Sequence, residues 1–174
     1  MKNISLLIFL FASFIACDET ETNSEAELIT YDEIISNINY SWFKGAYQNY
    51  VPNDSISTLI KENYNKDEDS FLIFASMACG CGEEVEFAKY LKVLRESGVE
   101  SIIIYSMADL DYTYPFKDKF TLTQLPSFFK LTNGEIVYSI IDSLNNFKDI
   151  NNPEAEITDS SAVIEQAILD ALQY

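Results

Sequence analysis

Apolar residues in the middle of the chain follow two spacings, one typical of strands and one typical of helices. Residues 71–75 and 102–105 are unbroken apolar runs of strand length, which favours strands covered on both sheet faces. Between them, apolar residues recur every three to four positions and stop before Gly98, which predicts a helix that ends there. This strand, helix, strand order predicts two parallel strands. The periodic positions are Phe87, Ala88, Leu91 and Leu94.

Further elements are predicted on both sides of this unit. A helix-start signal at 52–55 precedes one apolar helical face, formed by Ile56, Leu59, Ile60 and Tyr64. Two β-prone runs, 127–131 and 135–141, flank Thr132-Asn133-Gly134, which favours a tight hairpin. The chain closes on an amphipathic helix behind capping candidates at 159–161, and its apolar positions are Ile164, Ala167, Ile168, Ala171 and Leu172.

Two regions have weaker patterns. Residues 28–50 are rich in apolar and aromatic side chains without a clean period, so they predict a short helix or strand without deciding between them. Residues 107–123 contain many helix breakers and predict a loop with a short helical piece. We find no repeat and no sign of a second domain.

The amino terminus has the pattern of an export signal. Lys2 precedes an apolar run from Ile4 to Ile15 that is too short to span a bilayer as a mature helix, so residues 1–16 are predicted to be a signal peptide. The run ends in Phe14-Ile15-Ala16-Cys17, which resembles the lipobox of bacterial lipoproteins, although Phe14 stands where leucine is more usual. The resemblance implies cleavage before Cys17 and a lipid on its sulfur. An ordinary secretory leader with a chance cysteine, or an uncleaved anchor, is the alternative.

An acidic, polar segment follows Cys17. Residues 18–27 have a composition that favours a solvated linker, and we assign residues 17–30 to the lipidated cysteine and tether and residues 31–174 to one domain. An acidic run at this place also resembles signals that send some lipoproteins to the cell surface; a plain spacer is the alternative. These assignments predict a lipid-anchored protein of the bacterial cell envelope, on the periplasmic side or at the cell surface.

Composition narrows the chemistry. The formal charge is −17 at pH 7, so nucleic acid and anionic lipid surfaces would repel the chain, and its membrane contact is expected to be covalent. The absence of histidine excludes Ser-His-Asp and Cys-His catalysis and histidine-ligated zinc. What remains is the chemistry of the close pair Cys79 and Cys81, separated by Gly80.

The order of elements, with Cys79 directly after a buried strand and Leu125-Pro126 before a hairpin, resembles the thioredoxin-like family over about residues 54–173. The passage 74–79 is similar in length to the family's strand-to-active-site passage, and 125–137 resembles its cis-proline strand and hairpin. The resemblance implies an α/β fold with a central mixed sheet of about four to five strands flanked by helices. It also implies a cis bond before Pro126, with Leu125 lending a backbone edge to a substrate and Pro126 keeping that edge open. The predicted substrate-binding residues are Leu125, Pro126 and Met77.

The sequence departs from the family at the active site itself. One residue separates the cysteines where the family has two, Ala78 replaces the preceding aromatic residue, and Ile73 occupies the position of the buried carboxylate. A disulfide closed across one glycine forms a small ring with unfavourable torsions, and strain makes such a bond easier to reduce. The pair is therefore expected to act as an oxidant or isomerase.

At the start of a helix, unpaired N–H groups favour the thiolate, so Cys79 is the expected nucleophile and Cys81 the resolving cysteine. Glu83, Glu84 and Glu86 are expected to oppose this activation in part by charge repulsion. The expected partners are thiols or disulfides of exported proteins, with no cofactor beyond the disulfide. The sequence identifies neither the substrate nor the recycling partner.

Two other functions fit the same residues. The first is a redox-inactive thioredoxin-like module, in which the cysteines are inert and the Leu125-Pro126 edge holds a peptide. The second is a copper(I) carrier, with Cys79 and Cys81 as thiolate ligands and Met77 as a nearby soft ligand, although carriers of this fold normally add a histidine.

Overall fold

The computed structural model describes residues 24–78, 84–140 and 160–174. The described chain contains strands β1 (Glu27–Ile29), β2 (Asp69–Ala75), β3 (Ile102–Ser106), β4 (Ser127–Thr132) and β5 (Glu135–Ser139). Its α-helices are α1 (Tyr31–Ser36), α2 (Ser41–Asn49), α3 (Asp54–Asn63), α4 (Glu84–Glu96) and α5 (Ser160–Ala171), and a 3-10 helix, Ile38–Tyr40, joins α1 to α2. None of the helices in these three ranges is long and apolar enough to cross a membrane.

The strands form one mixed sheet in the order β1-β3-β2-β4-β5. The pair β2 and β3 is parallel, while β1 with β3, β2 with β4 and β4 with β5 are antiparallel. The predicted α/β class, with a central mixed sheet flanked by helices, is confirmed. The parallel unit of β2, α4 and β3 is also the one that the two apolar runs predicted.

The two faces of the sheet bury two different clusters. Phe71 and Ile73 of β2 pack in the first cluster with apolar residues of all five helices. Leu72 and Phe74 point to the other face, as expected for neighbouring strand residues, and pack in the second cluster with residues of the segment 107–125. Burial on both faces explains why β2 is an unbroken apolar run after its first two residues.

Helix α3 begins as predicted, because the Asn53 side chain accepts hydrogen bonds from the backbone N–H groups of Ser55 and Ile56 at 3.0 and 3.2 Å. Ile60 is fully buried, but Leu59 is 44% exposed, so its assignment to the buried face is wrong. Leu59 lies about 100° around the helix from Ile60, which turns it away from the buried face.

The predicted end of α4 and the predicted hairpin turn both depend on residues with positive φ angles. Gly98 has φ +78°, and the backbone N–H groups of Gly98 and Val99 bond to the carbonyls of Arg95 and Leu94, the Schellman pattern that ends a helix. Asn133 and Gly134 have φ +53° and +79°, the signature of a two-residue type I′ hairpin. Both predictions are confirmed.

The less patterned regions contain more structure than the sequence predicted. Residues 28–50 hold the end of a strand, two α-helices and a 3-10 helix. Residues 24–30, assigned to the tether, include β1, which pairs with β3 over its full length. Ala26, just before β1, is buried. The capping candidate Asp159 lies outside the described residues.

The segment 107–126 is a long loop built from turns, and the short helical piece expected in it is not formed. The backbone N–H of Lys117 bonds to the Tyr114 carbonyl at 3.3 Å, with Pro115 and then Phe116 between them. Phe116 has φ +70°, so this is the pattern of a type II turn, with phenylalanine where glycine is preferred.

Candidate functional site

The carboxyl-terminal edge of β2 leads directly to the cysteine pair in sequence. After Ala75 the chain continues through Ser76 and Met77, which are buried, to the exposed Ala78. The Ala78 N–H donates to the Ser76 hydroxyl at 3.3 Å. Cys79 and Cys81 lie outside the described residues, as does the lipidation candidate Cys17.

The Leu125–Pro126 peptide bond is cis. The next residue, Ser127, pairs with Phe74 of β2, so Pro126 lies at the same sheet edge as Ala75. Pro126 is buried, and Leu125 is partly buried against the second cluster. The structure therefore brings the candidate substrate edge and Ala78 to one end of the sheet, and it decides the isomer, which the sequence alone did not show.

Met77 does not lie at the surface. It is 7% exposed and packs in the first core cluster. Its side chain therefore packs in the core, although Met77 was predicted to bind substrate.

The first turn of α4 carries acidic side chains close to the cysteines in sequence. Glu86 forms an ion pair with Lys89 at 2.8 Å, which offsets part of its charge. One carboxylate oxygen of Glu84, Oε2, is buried and has no hydrogen-bond partner among the described residues. Glu83 lies outside those residues.

The centre of β2 holds no ionisable group. Ile73, where the resemblance to the thioredoxin-like family would place a buried carboxylate, is fully buried among apolar residues of the first cluster. No carboxylate is therefore available on this part of the strand to exchange protons with a group at its end.

A buried ion pair lies at the opposite end of β2. Lys130 Nζ is 3.1 Å from Asp69 Oδ1, and the two side chains are 4% and 7% exposed. Asp69 also accepts from the Thr132 hydroxyl and from the Asn65 N–H, each at 3.1 Å. This pair was not predicted from the sequence, although a lysine within the apolar run 128–131 is a detectable signal.

A second buried carboxylate joins α5 to the segment before α3. Glu165 is fully buried, and its Oε1 atom accepts from the Tyr50 hydroxyl at 3.1 Å and from the Asn53 N–H at 2.7 Å. The burial of Glu165 was not predicted either, because a single glutamate in an amphipathic helix is normally solvent-exposed.

The long loop covers the second face of the sheet next to the candidate site. Phe74 of β2 contacts Tyr114 and Phe120 of the loop, with ring centroids 5.4 and 6.1 Å apart, and Phe120 packs on Phe129 at 4.9 Å. Both ends of the loop lie at the carboxyl-terminal edge, because it leaves β3 there and enters β4 there. The two ends of this loop therefore border the site, while its aromatic residues cover the adjoining face of the sheet.

A separate open groove of about 500 Å³ lies between β1 and α1. Leu28, which is 60% exposed, lines it together with Glu27, Glu33 and Tyr40. Glu33 is already engaged there, since its Oε2 atom accepts from the Thr30 N–H at 2.7 Å. No pattern in the sequence predicted this groove.

No family model, curated protein or solved structure matches the chain. Inference about its function therefore rests on its own residues and geometry.

Proposed function

We propose that the chain is a lipid-anchored, thioredoxin-like thiol-disulfide oxidoreductase or isomerase of the bacterial cell envelope, which acts on exported proteins through Cys79 and Cys81. One observation carries the proposal: Ala78, the residue before Cys79, and the cis Leu125–Pro126 bond belong to the same edge of the sheet. Two thiols next in sequence to such an edge are well situated for exchange with an extended substrate. No cofactor beyond the disulfide is needed.

In the oxidising direction, a substrate thiolate attacks Cys79 Sγ, the bond between the two cysteines breaks, and Cys81 leaves as a thiolate. A second substrate thiolate then attacks the substrate sulfur of the mixed disulfide and releases Cys79. The substrate loses two electrons and gains a disulfide, while Cys79 and Cys81 gain the two electrons and take up the two protons. In the reducing direction, the Cys79 thiolate attacks a substrate disulfide and releases one substrate thiolate, and Cys81 then attacks Cys79 Sγ, which releases the second substrate thiolate and re-forms the Cys79–Cys81 disulfide. In isomerisation, another substrate thiolate displaces Cys79 instead, so the substrate disulfide moves without net transfer of electrons.

The substrate is expected to lie along the backbone of Leu125, with Pro126 holding this edge free of a neighbouring strand. Leu125 is partly buried against the second cluster, so its backbone is supported by packing with aromatic residues such as Phe120. A substrate strand there would add backbone hydrogen bonds without requiring a particular side chain. The proposal therefore expects broad substrate sequence tolerance.

The reduction potential of the pair tests the proposal. The chain, purified in detergent with its lipid, is equilibrated in glutathione buffers, and the state of the two thiols is read by alkylation and mass spectrometry. We expect a potential clearly above the value of about −300 mV below which structural disulfides lie. Insulin reduction and refolding of a scrambled protein are the paired activity assays. A pair as hard to reduce as a structural disulfide would contradict the oxidant assignment.

Two single variants separate the roles of the cysteines. Cys81→Ser is expected to accumulate mixed disulfides with envelope proteins through Cys79, because the resolving thiol is absent. Cys79→Ser is expected to accumulate few, and each variant serves as the control for the other. Equal trapping by both variants would show that Cys79 is not the preferred nucleophile.

A redox-inactive binding module is the alternative function. Two observations support it, since Ile73 and Ala78 stand where the thioredoxin-like family has residues that support exchange. If partner binding and cellular phenotype persist in the double variant Cys79→Ser/Cys81→Ser, this alternative replaces the enzyme. The burial of Met77 makes it a poor ligand for a copper(I) carrier. If the reduced chain binds copper(I) no more tightly than the Cys79→Ser variant does, the copper(I) carrier is excluded.

A further inference from the structure

The described chain begins at the sheet edge that carries the candidate site. The Thr113 N–H donates to the Ser24 carbonyl at 2.9 Å, and the Ala26 N–H donates to the Thr113 carbonyl at 2.8 Å. These bonds join the amino-terminal segment to the long loop 107–126. Strand β1 follows immediately and runs away from this edge, since it is antiparallel to β3.

The strand register gives the distance across the edge. Glu27 of β1 pairs with Ser106 of β3, and Ser106 pairs with Ala75 of β2, so these three residues form one row. With neighbouring strands about 4.8 Å apart, Glu27 lies about 10 Å from Ala75. Strand β4 is one spacing further, so Pro126 lies about 15 Å from β1. The amino-terminal segment and the candidate site therefore lie side by side.

The sequence between Cys17 and the described chain is short. Ser24 follows Cys17 by seven residues, which span at most about 25 Å when fully extended. A compact domain of this size is about 40 Å across, so the tether is shorter than the domain that it holds.

We infer that the carboxyl-terminal edge of the sheet faces the membrane, and that the substrates of the cysteine pair are cysteines in membrane-proximal segments of other anchored or membrane-spanning envelope proteins. This inference rests on the proposed function and on lipidation of Cys17. The chemistry is the two-electron exchange already written, with the substrate thiols oxidised and the pair reduced. Soluble exported proteins would meet a site that is partly shielded by the bilayer.

The orientation can be measured without the native thiols. The chain is expressed with its leader, carries Cys79→Ser and Cys81→Ser, and is reconstituted into neutral phosphatidylcholine vesicles. One version adds Ala78→Cys at the site edge, and the matched version adds Glu100→Cys, which is also exposed but precedes β3 at the opposite edge. The probe is a phospholipid with a short pyridyl disulfide on its headgroup, and released pyridinethione reports each exchange. A soluble pyridyl disulfide normalises the intrinsic reactivity of the two thiols.

We expect the normalised rate with the lipid probe to be at least about threefold higher for Ala78→Cys than for Glu100→Cys. Inserting 24 glycine and serine residues after Asn23 should bring the ratio close to one, because a long tether lets the domain rotate. Equal rates with the native tether, or a chain that does not stay on the vesicles, would overturn the inference. If Ala78→Cys reacts faster than Glu100→Cys, but Cys79 and Cys81 of the unsubstituted protein exchange with no substrate, then the proposed function is wrong and the orientation still holds.

Discussion

Replacing Lys130 by methionine removes one half of the buried ion pair with Asp69 and keeps an apolar side chain of similar length. Removal of one partner of a buried pair costs about 3–5 kcal/mol, because the other charge stays buried and uncompensated. Asp69 keeps two hydrogen bonds, from Thr132 and Asn65. We therefore expect Lys130→Met to lower the free energy of unfolding by about 3 kcal/mol, at the lower end of that range.

Urea unfolding followed by the fluorescence of Trp42 measures this loss. For a chain of this size, 1 kcal/mol shifts Tm by about 2–4 °C, so thermal unfolding should show a decrease of about 6–12 °C. The matched control is Glu86→Gln, which breaks the more exposed pair with Lys89 and should cost no more than about 0.5 kcal/mol.

A double-mutant cycle separates the pair from the packing of either residue. Asp69→Asn is combined with Lys130→Met, and the coupling energy is expected to be about 2 kcal/mol or more. If Lys130→Met costs less than about 1 kcal/mol, no more than the loss of an exposed pair, then burial does not increase the contribution of this pair to stability.

Three further predictions concern other residues of the fold. Glu165→Leu should cost about 2–3 kcal/mol in urea unfolding, because the Asn53 N–H loses its acceptor, whereas Glu165→Gln keeps that acceptor and should cost about 1 kcal/mol or less. Gly98→Ala should destabilise by about 1–2 kcal/mol, since its φ is +78°. Gly45→Ala in α2 should instead stabilise by about 0.5–1 kcal/mol, since a Cβ there meets no atom within 4 Å. Changes of the same sign in the free energy of unfolding of the two variants would contradict this. Burial raises the pKa of Tyr90 well above its usual value, so its stabilising contribution is complete below about pH 10 and is lost at higher pH. Tyr90→Phe should therefore flatten the decrease in the free energy of unfolding at alkaline pH. An unchanged decrease would refute this explanation.

The parts of the fold that the sequence predicted are those with a strong local cause. Strands β2 and β3 were predicted because apolar runs reflect burial, and the end of α4 was predicted because Gly98 can adopt a positive φ. The hairpin was predicted from Asn133 and Gly134 for the same reason. In each case, the residues that form the element also carry its signal.

The missed features depend on partners far along the chain. Strand β1 has three residues, Leu28 is exposed, and the strand exists because its backbone pairs with β3, more than 70 residues away. The partner of Lys130 is similarly remote, so its charge within an apolar run had no local explanation. The cis form of the Leu125–Pro126 bond was expected from the family resemblance and is confirmed, but local sequence alone does not decide it, since both isomers are accessible to any X-Pro sequence.

The two ends of β2 differ in chemistry, so the stability of the fold and the proposed thiol exchange can be perturbed separately by experiment. The amino-terminal end is held by the ion pair of Asp69, while the carboxyl-terminal end leads to Ala78 and then to the cysteines. Lys130→Met should therefore reduce stability while leaving the exchange rate per folded molecule unchanged. Cys81→Ser should do the reverse, removing turnover without lowering the free energy of unfolding of the reduced protein. If Lys130→Met changes the exchange rate of the fully folded protein, then the two ends of the strand are coupled, and the function cannot be assigned to the cysteine edge alone.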